Sequence, residues 1–220
     1  MRAMRKAMAV MTAIGLTVSG AMVSYGDTAA AETAVKSSET SLGDGGTADS
    51  VITGHIKVTN ISVKVPVTSS FDIDPNKEVS AGGAGNAQMG EQATNYTITN
   101  LSTVPLDISI TKVTPGNGVT LVQTVGALST DKSVIFAIRE ANEAVPALPG
   151  GADDAKWMTS GTLASPYKVS ATLNTIEAAG TAGGKDSLTM KVYAATKKGW
   201  KSGNSFTITP TFTVSLNTTS

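Results

Sequence analysis

Residues 104–110 read VPLDISI, and their apolar side chains recur at every second position. Val104, Leu106, Ile108 and Ile110 alternate with Pro105, Asp107 and Ser109. A helix would place its apolar residues three and four apart, so this alternation specifies a strand with one buried and one wet face. The same reading extends outward in both directions. Ile61, Val63, Val65, Val67, Phe71 and Ile73 share one parity, with Ser69 as the gap. Phe206, Ile208, Phe212, Val214 and Leu216 alternate with threonine and serine. Fainter strands are expected over 52–59, 94–100, 119–124, 133–139, 167–174 and 187–195. The stretch KSVIFAIREANEA, from Lys132, has a helical alternative, but a strand followed by one turn suits its β-branched and aromatic residues better.

Threonine collects on the outward positions of these runs, where a β-branched hydroxyl residue suits a solvated sheet face. The gaps carry turn chemistry: AGGAGNAQMG at 81–90, TPGNG at 114–118, PALPGGADD at 146–154 and AAGTAGGKD at 178–186. About nine short strands joined by such turns predict an all-β fold, an antiparallel immunoglobulin-like β-sandwich. The crossover helices that a parallel sheet requires are not found in the pattern. The chain has no cysteine, so the disulfide of true immunoglobulin domains is missing and the label is architectural. VTNISVKVPV at 58–67 and ITNLSTVPLD at 98–107 share a Thr-Asn-apolar-Ser step. Side-chain parity breaks at Asn60 and Asn100, as it does at a bulge or tight bend.

The N-terminus sets an expected address. Arg2, Arg5 and Lys6 precede an apolar run, and small residues stand at Ala29 and Ala31. A basic cluster, an apolar run and an A-x-A site predict a secretory signal peptide over 1–31. Residues 32–50, ETAVKSSETSLGDGGTADS, are polar and small and read as a flexible arm. Residues 51–220 then form one sandwich domain, long enough to bury a core without disulfides. Taking Arg2, Arg5, Lys6 and Asp27 from 17 basic and 17 acidic residues leaves 14 and 16, a net charge of −2. No basic field exists to hold nucleic acid or anionic lipid. After signal cleavage no apolar run is long enough to span a bilayer.

Chemistry is sparse. Asp72, Asp74, Asn76 and Glu78 in FDIDPNKE place oxygen ligands two apart, a pattern able to surround calcium where the backbone turns tightly. Lys77 stands where an EF-hand loop needs glycine. The competing reading has Phe71 and Ile73 inward, Asp72 and Asp74 in water, and Pro75-Asn76 ending a strand. His55 is the only histidine, too few for a multi-histidine zinc site, and no G-x-S-x-G elbow presents a serine. Glu140 with Glu143, and Asp153 with Asp154, are the only candidates for the paired carboxylates of glycoside hydrolysis. They read better as turn residues, so no catalytic residue is assigned and an enzyme is not expected. Trp157 and Trp200 are the candidate binding residues: a loop tryptophan beside lysines suits contact with glycan or protein, and equally suits plugging the end of a sandwich. Calcium is the one cofactor the residues raise.

NYTITNLSTVPLDISIT, preceded by VPVTSSFDIDP, resembles secreted β-sandwich proteins of Gram-positive bacteria. These are surface and biofilm-matrix proteins of the TasA and camelysin type, and cell-surface domains found near WxL proteins. The W-x-L tripeptide itself is absent, Trp157 and Trp200 being followed by Met158 and Lys201. The resemblance implies an extracellular, cell-surface structural role, with a fibre subunit built by strand exchange as one form. The residues reach a related expectation through the arm, which leads into SVITGHIKVT at 50–59 and is placed to add a strand to a neighbour's sheet. The expected partners are therefore further copies of the chain or cell-surface components. The alternative is a monomeric extracellular binding module for wall glycan or a host ligand.

Overall fold

The computed structural model describes residues 60–151, 154–172 and 174–217, together with the short strand Val23–Ser24. The expected signal peptide, the arm, the strand over 52–59, His55 and Asp153 lie otherwise outside the described residues. The architecture is all-β.

Two sheets enclose the main core. The first has the order β3 (Val63–Lys64), β6 (Thr97–Asn100), β12 (Ser187–Thr196), β9 (Ser133–Glu140) and β8 (Thr120–Leu121). The second is centred on β7 (Leu106–Pro115). One edge of β7 pairs with β10 (Gly161–Tyr167) and β11 (Thr175–Ile176), and the other pairs with β13 (Ile208–Leu216) along its whole length. Two small pairings complete the set: β1 (Val23–Ser24) with β2 (Asn60–Ile61), and β4 (Phe71–Ile73) with β5 (Met89–Gln92).

The inward residues of VPLDISI behave as alternation requires. Leu106, Ile108 and Ile110 are buried, and the parity then slips so that Val113 is the next buried residue. The slip coincides with a bulge, for the register to β13 shifts between Thr211 and Phe212. TPGNG is the turn out of β7, with Asn117 and Gly118 both at positive φ, which an Asn-Gly pair tolerates.

β9 and β12 are the least exposed strands, because they are covered on both faces. Val134, Phe136 and Ile138 face the main core, as do Leu188, Met190, Val192 and Ala194. On the other parity Ile135, Ala137, Tyr193 and Ala195 join a second cluster with Val125, Leu128, Leu148 and Trp157. Loops supply that outer layer, including the 3-10 turn Gly126–Ser129. Double burial explains why VIFAI runs without alternation. As expected for Lys132–Ala144, a strand ends at Glu140 and a turn follows.

Several expected strands are corrected. The run from Ile61 to Ile73 is not one strand: residues 65–70 belong to no sheet, and Val67 is 62% exposed rather than inward. Pro66 has no N–H for a ladder, which is one reason the pairing stops there. The strand expected over 167–174 lies instead at Gly161–Tyr167. Val169 to Ala171 leave the sheet because other groups satisfy their backbone: Glu140 N–H donates to Val169 C=O, and Ala171 N–H donates to the Glu143 carboxylate. The sheets are not wholly antiparallel, since β8 runs parallel to β9 and is only two residues long.

Candidate functional site

Among the described residues a groove runs along one side of the sandwich. Residues 65–69 form one rim of this opening and residues 206–212 the other. Residues 65–69 pair with no strand among the described residues, and the pairing described for β13 is with β7. Pro210 sits within β13, a position that an edge strand tolerates and a central strand does not. Between the rims lies a groove of about 570 Å³ whose floor is the sandwich interior. Tyr96, Phe136, Ile138 and Val192 line that floor, with Phe71, Phe206 and Phe212 at its sides. The volume falls within the ordinary range of ligand pockets. Val67 carries the apolar surface outward onto the rim.

An aromatic ladder stiffens one end. Phe71 lies 6.3 Å from Phe136 and 5.8 Å from Phe206, edge-on to the latter. Trp200 packs on Phe206 at 5.3 Å and donates its indole N–H to Thr196 Oγ1 at 2.7 Å. Of its two expected roles, Trp200 thus takes that of a plug folded back on the end of the sandwich.

Tyr96 is the one polar side chain on the groove floor. It is 8% exposed. Burial pushes the phenol up to about 12, so it stays a protonated donor at any physiological pH.

The other sequence candidates fall elsewhere. Phe71 and Ile73 turn toward the core while Asp72 and Asp74 are exposed. Asp74 Oδ1 accepts from the backbone N–H of Asn76 at 3.0 Å and from its side-chain amide at 3.2 Å, an Asx turn that ends β4. Asn76 and Glu78 are exposed as well. No group of three or more His, Cys, Asp or Glu residues gathers among the described residues. Trp157 is not a surface contact residue. It is 3% exposed, fills the second cluster, and donates its indole N–H to Ala147 C=O. Asp154 Oδ1 accepts from Lys156 N–H within its own turn.

Of the acidic candidates Glu140 and Glu143, the second is engaged at both carboxylate oxygens. Glu143 Oε2 accepts from Arg139 Nε at 3.0 Å and from Arg139 Nη2 at 2.5 Å. Its Oε1 accepts from Ser170 Oγ at 3.0 Å and from Ala171 N–H at 2.5 Å. Burial alone would raise this carboxyl, but the bonds from Ala171 and Arg139 outweigh burial and hold it below the usual range. Arg139 Nη1 also donates to Lys168 C=O, so the pair clips the loop after β10 to the end of β9. This clip was not expected from the sequence, although the i, i+4 spacing of Arg139 and Glu143 was visible.

Two buried amides do similar work. Gln88 exchanges two hydrogen bonds with the backbone of Thr196 and donates to Lys77 C=O. Asn100 donates to Val104 C=O and Glu177 C=O and accepts from Ser102 N–H. The parity break noted at ITNLS is therefore a side-chain-braced turn.

The chain matches no protein-family model, no curated protein and no solved structure.

Proposed function

We propose that this is a secreted, non-enzymatic structural protein of the bacterial cell surface or extracellular matrix, assembling as a fibre subunit by β-strand addition. One observation carries the reading: an apolar groove lies between residues 65–69, which pair with no strand among the described residues, and the β13 end of the second sheet. A sheet edge beside an apolar floor is the template onto which an extended segment of another chain adds. Repeating that addition through a head-to-tail, non-closing contact yields a filament. The expected extracellular address and polar arm agree with it. So does the commitment of the acidic candidates to turns and to the Arg139 clip, which leaves them poor material for hydrolysis.

The test is negative-stain electron microscopy of residues 32–220 beside a version lacking 32–59. Filaments from the first and single particles from the second are expected. Monodisperse particles from both overturn the reading and move the monomeric binding module ahead of it.

A further inference from the structure

Strand β12 is shared unevenly between its neighbours. β9 takes one edge over residues 190–196, while β6 takes the other edge over residues 187–189. Tyr96 C=O extends that second edge by one bond, accepting from Met190 N–H at 2.8 Å. Alternate residues of an antiparallel strand present N–H and C=O to the same side, so Val192, Ala194 and Thr196 face this edge beyond the end of β6. Side chains meet two of them. Gln92 Oε1 accepts from Val192 N–H at 2.9 Å, and its Nε2 donates to Val192 C=O at 3.3 Å. Gln88 repeats the exchange at Thr196, at 2.8 Å and 2.9 Å.

A primary amide carries an acceptor beside its donors, as the backbone of a residue does. Each glutamine therefore makes the pair of bonds that one residue of a neighbouring strand would make. Both belong to the β5 segment: Gln92 ends β5 and Gln88 precedes it, and the strand pairing described for β5 is with β4. Gln88 is 1% exposed and gives a further bond to Lys77 C=O at 2.7 Å, so its amide is fixed at three points. A bare sheet edge is a template for the strand of another chain. The two amides satisfy this edge without adding a strand to the sheet.

We infer that Gln88 and Gln92 form an autoinhibitory contact: they occupy the edge of β12 at Val192 and Thr196 and so exclude an extended segment of a second copy of the chain from it. An incoming strand makes the same bonds and adds a residue's pair at Ala194, so loss of the amides turns the balance towards pairing between copies. The inference goes beyond the fibre reading and does not need it, because it concerns the edge of β12 and not the rims of the groove.

The test is Gln88→Met with Gln92→Met in the full chain, which keeps two unbranched side chains of similar length and removes both amides. It is made at a concentration where the unsubstituted chain sediments as a single species. The double variant is expected to sediment as larger species there. In the diluted variant, hydrogen exchange at the Val192 and Thr196 amides is expected to be roughly tenfold faster, the loss of one hydrogen bond each. In the associated variant the same amides are expected to be slower than in the unsubstituted chain. Asn100→Ala touches neither Val192 nor Thr196 and is the control for lost stability, with each protein held equally far below its own Tm. Gln92→Met alone decides the matter if the double variant does not fold, with the same changes expected at Val192. A variant that stays a single species, a control that associates as much, or associated species whose amides stay fast would each overturn the inference and leave the fibre reading untouched.

Discussion

Replacing Glu143 by Gln tests the clip that ties the chain after β10 to β9. The change keeps the shape of the side chain and removes its charge. Arg139 is then left with its guanidinium in a site where it is 6% exposed, and its remaining fixed acceptor is Lys168 C=O. Breaking one partner out of a buried pair costs about 3–5 kcal/mol. Glu143 retains 18% of its side-chain exposure, which points to the low end, about 3 kcal/mol. At two to four degrees per kcal/mol for a domain of this size, Tm should fall by roughly 6–12 °C. The pH dependence gives a second check. The folded carboxyl lies below its unfolded value, so its contribution is complete above about 4.3 and is lost as pH falls through the folded value. The gap between wild type and Glu143→Gln in urea melts should therefore be full at neutral pH and shrink in acid. A gap under about 0.5 kcal/mol at neutral pH, or one that stays constant into acid, would refute the claim that this carboxylate is a buried ionic clip.

Other outcomes follow from the same geometry. Gly85→Ala would bring a Cβ to 2.5 Å from Pro146 C=O and 3.0 Å from the Trp157 ring, so a loss of about 1–3 kcal/mol is expected in chemical denaturation. Asn100→Ala removes the brace across 100–104 and 176–177 and should cost about 2–3 kcal/mol, with the earliest gain in hydrogen exchange at Ser102. Tyr96 and Tyr167 are both pushed up to about 12 by burial. Ultraviolet titration should thus leave two of the tyrosines un-ionised at pH 11. Because the folded values are raised, stability is complete below about 10 and is lost as pH rises toward 12.

Legibility in the sequence followed the physics of each element. Strands with one wet face announced themselves: Leu106, Ile108 and Ile110 are inward as their spacing required. β9 and β12 were fainter because loops cover their outer faces, and burial on both sides erases alternation. The run through Val67 misled because period-two spacing records only which side chains could share a face. Whether a neighbour strand is present to pair with is a tertiary fact. For the same reason the groove was not visible: it lies where the two sheets, distant in sequence, bring residues 65–69 and β13 to either side of Tyr96 and Phe136. Trp157, a candidate binding residue, is buried because a second core that no local pattern marks lies beneath its loop. The Asp74–Asn76 turn was legible, since Pro-Asn after Asp is local chemistry.

The pairing of β6 and β9 with β12, and of β7 with β13, has a consequence for how the molecule comes into being. β6 and β9 have no common neighbour until residues 187–196 exist, and the long edge of β7 is unmatched until residues 208–216 exist. A chain emerging N-terminus first can therefore complete neither sheet before β12 and β13 are made. Until then β6 and β9 stay apart and the β13 edge of β7 is unmatched. β12 and β13 are therefore the strands that close the two sheets. A chain stopped short of β12 would be a substrate for proteases and aggregation rather than a smaller version of the sandwich.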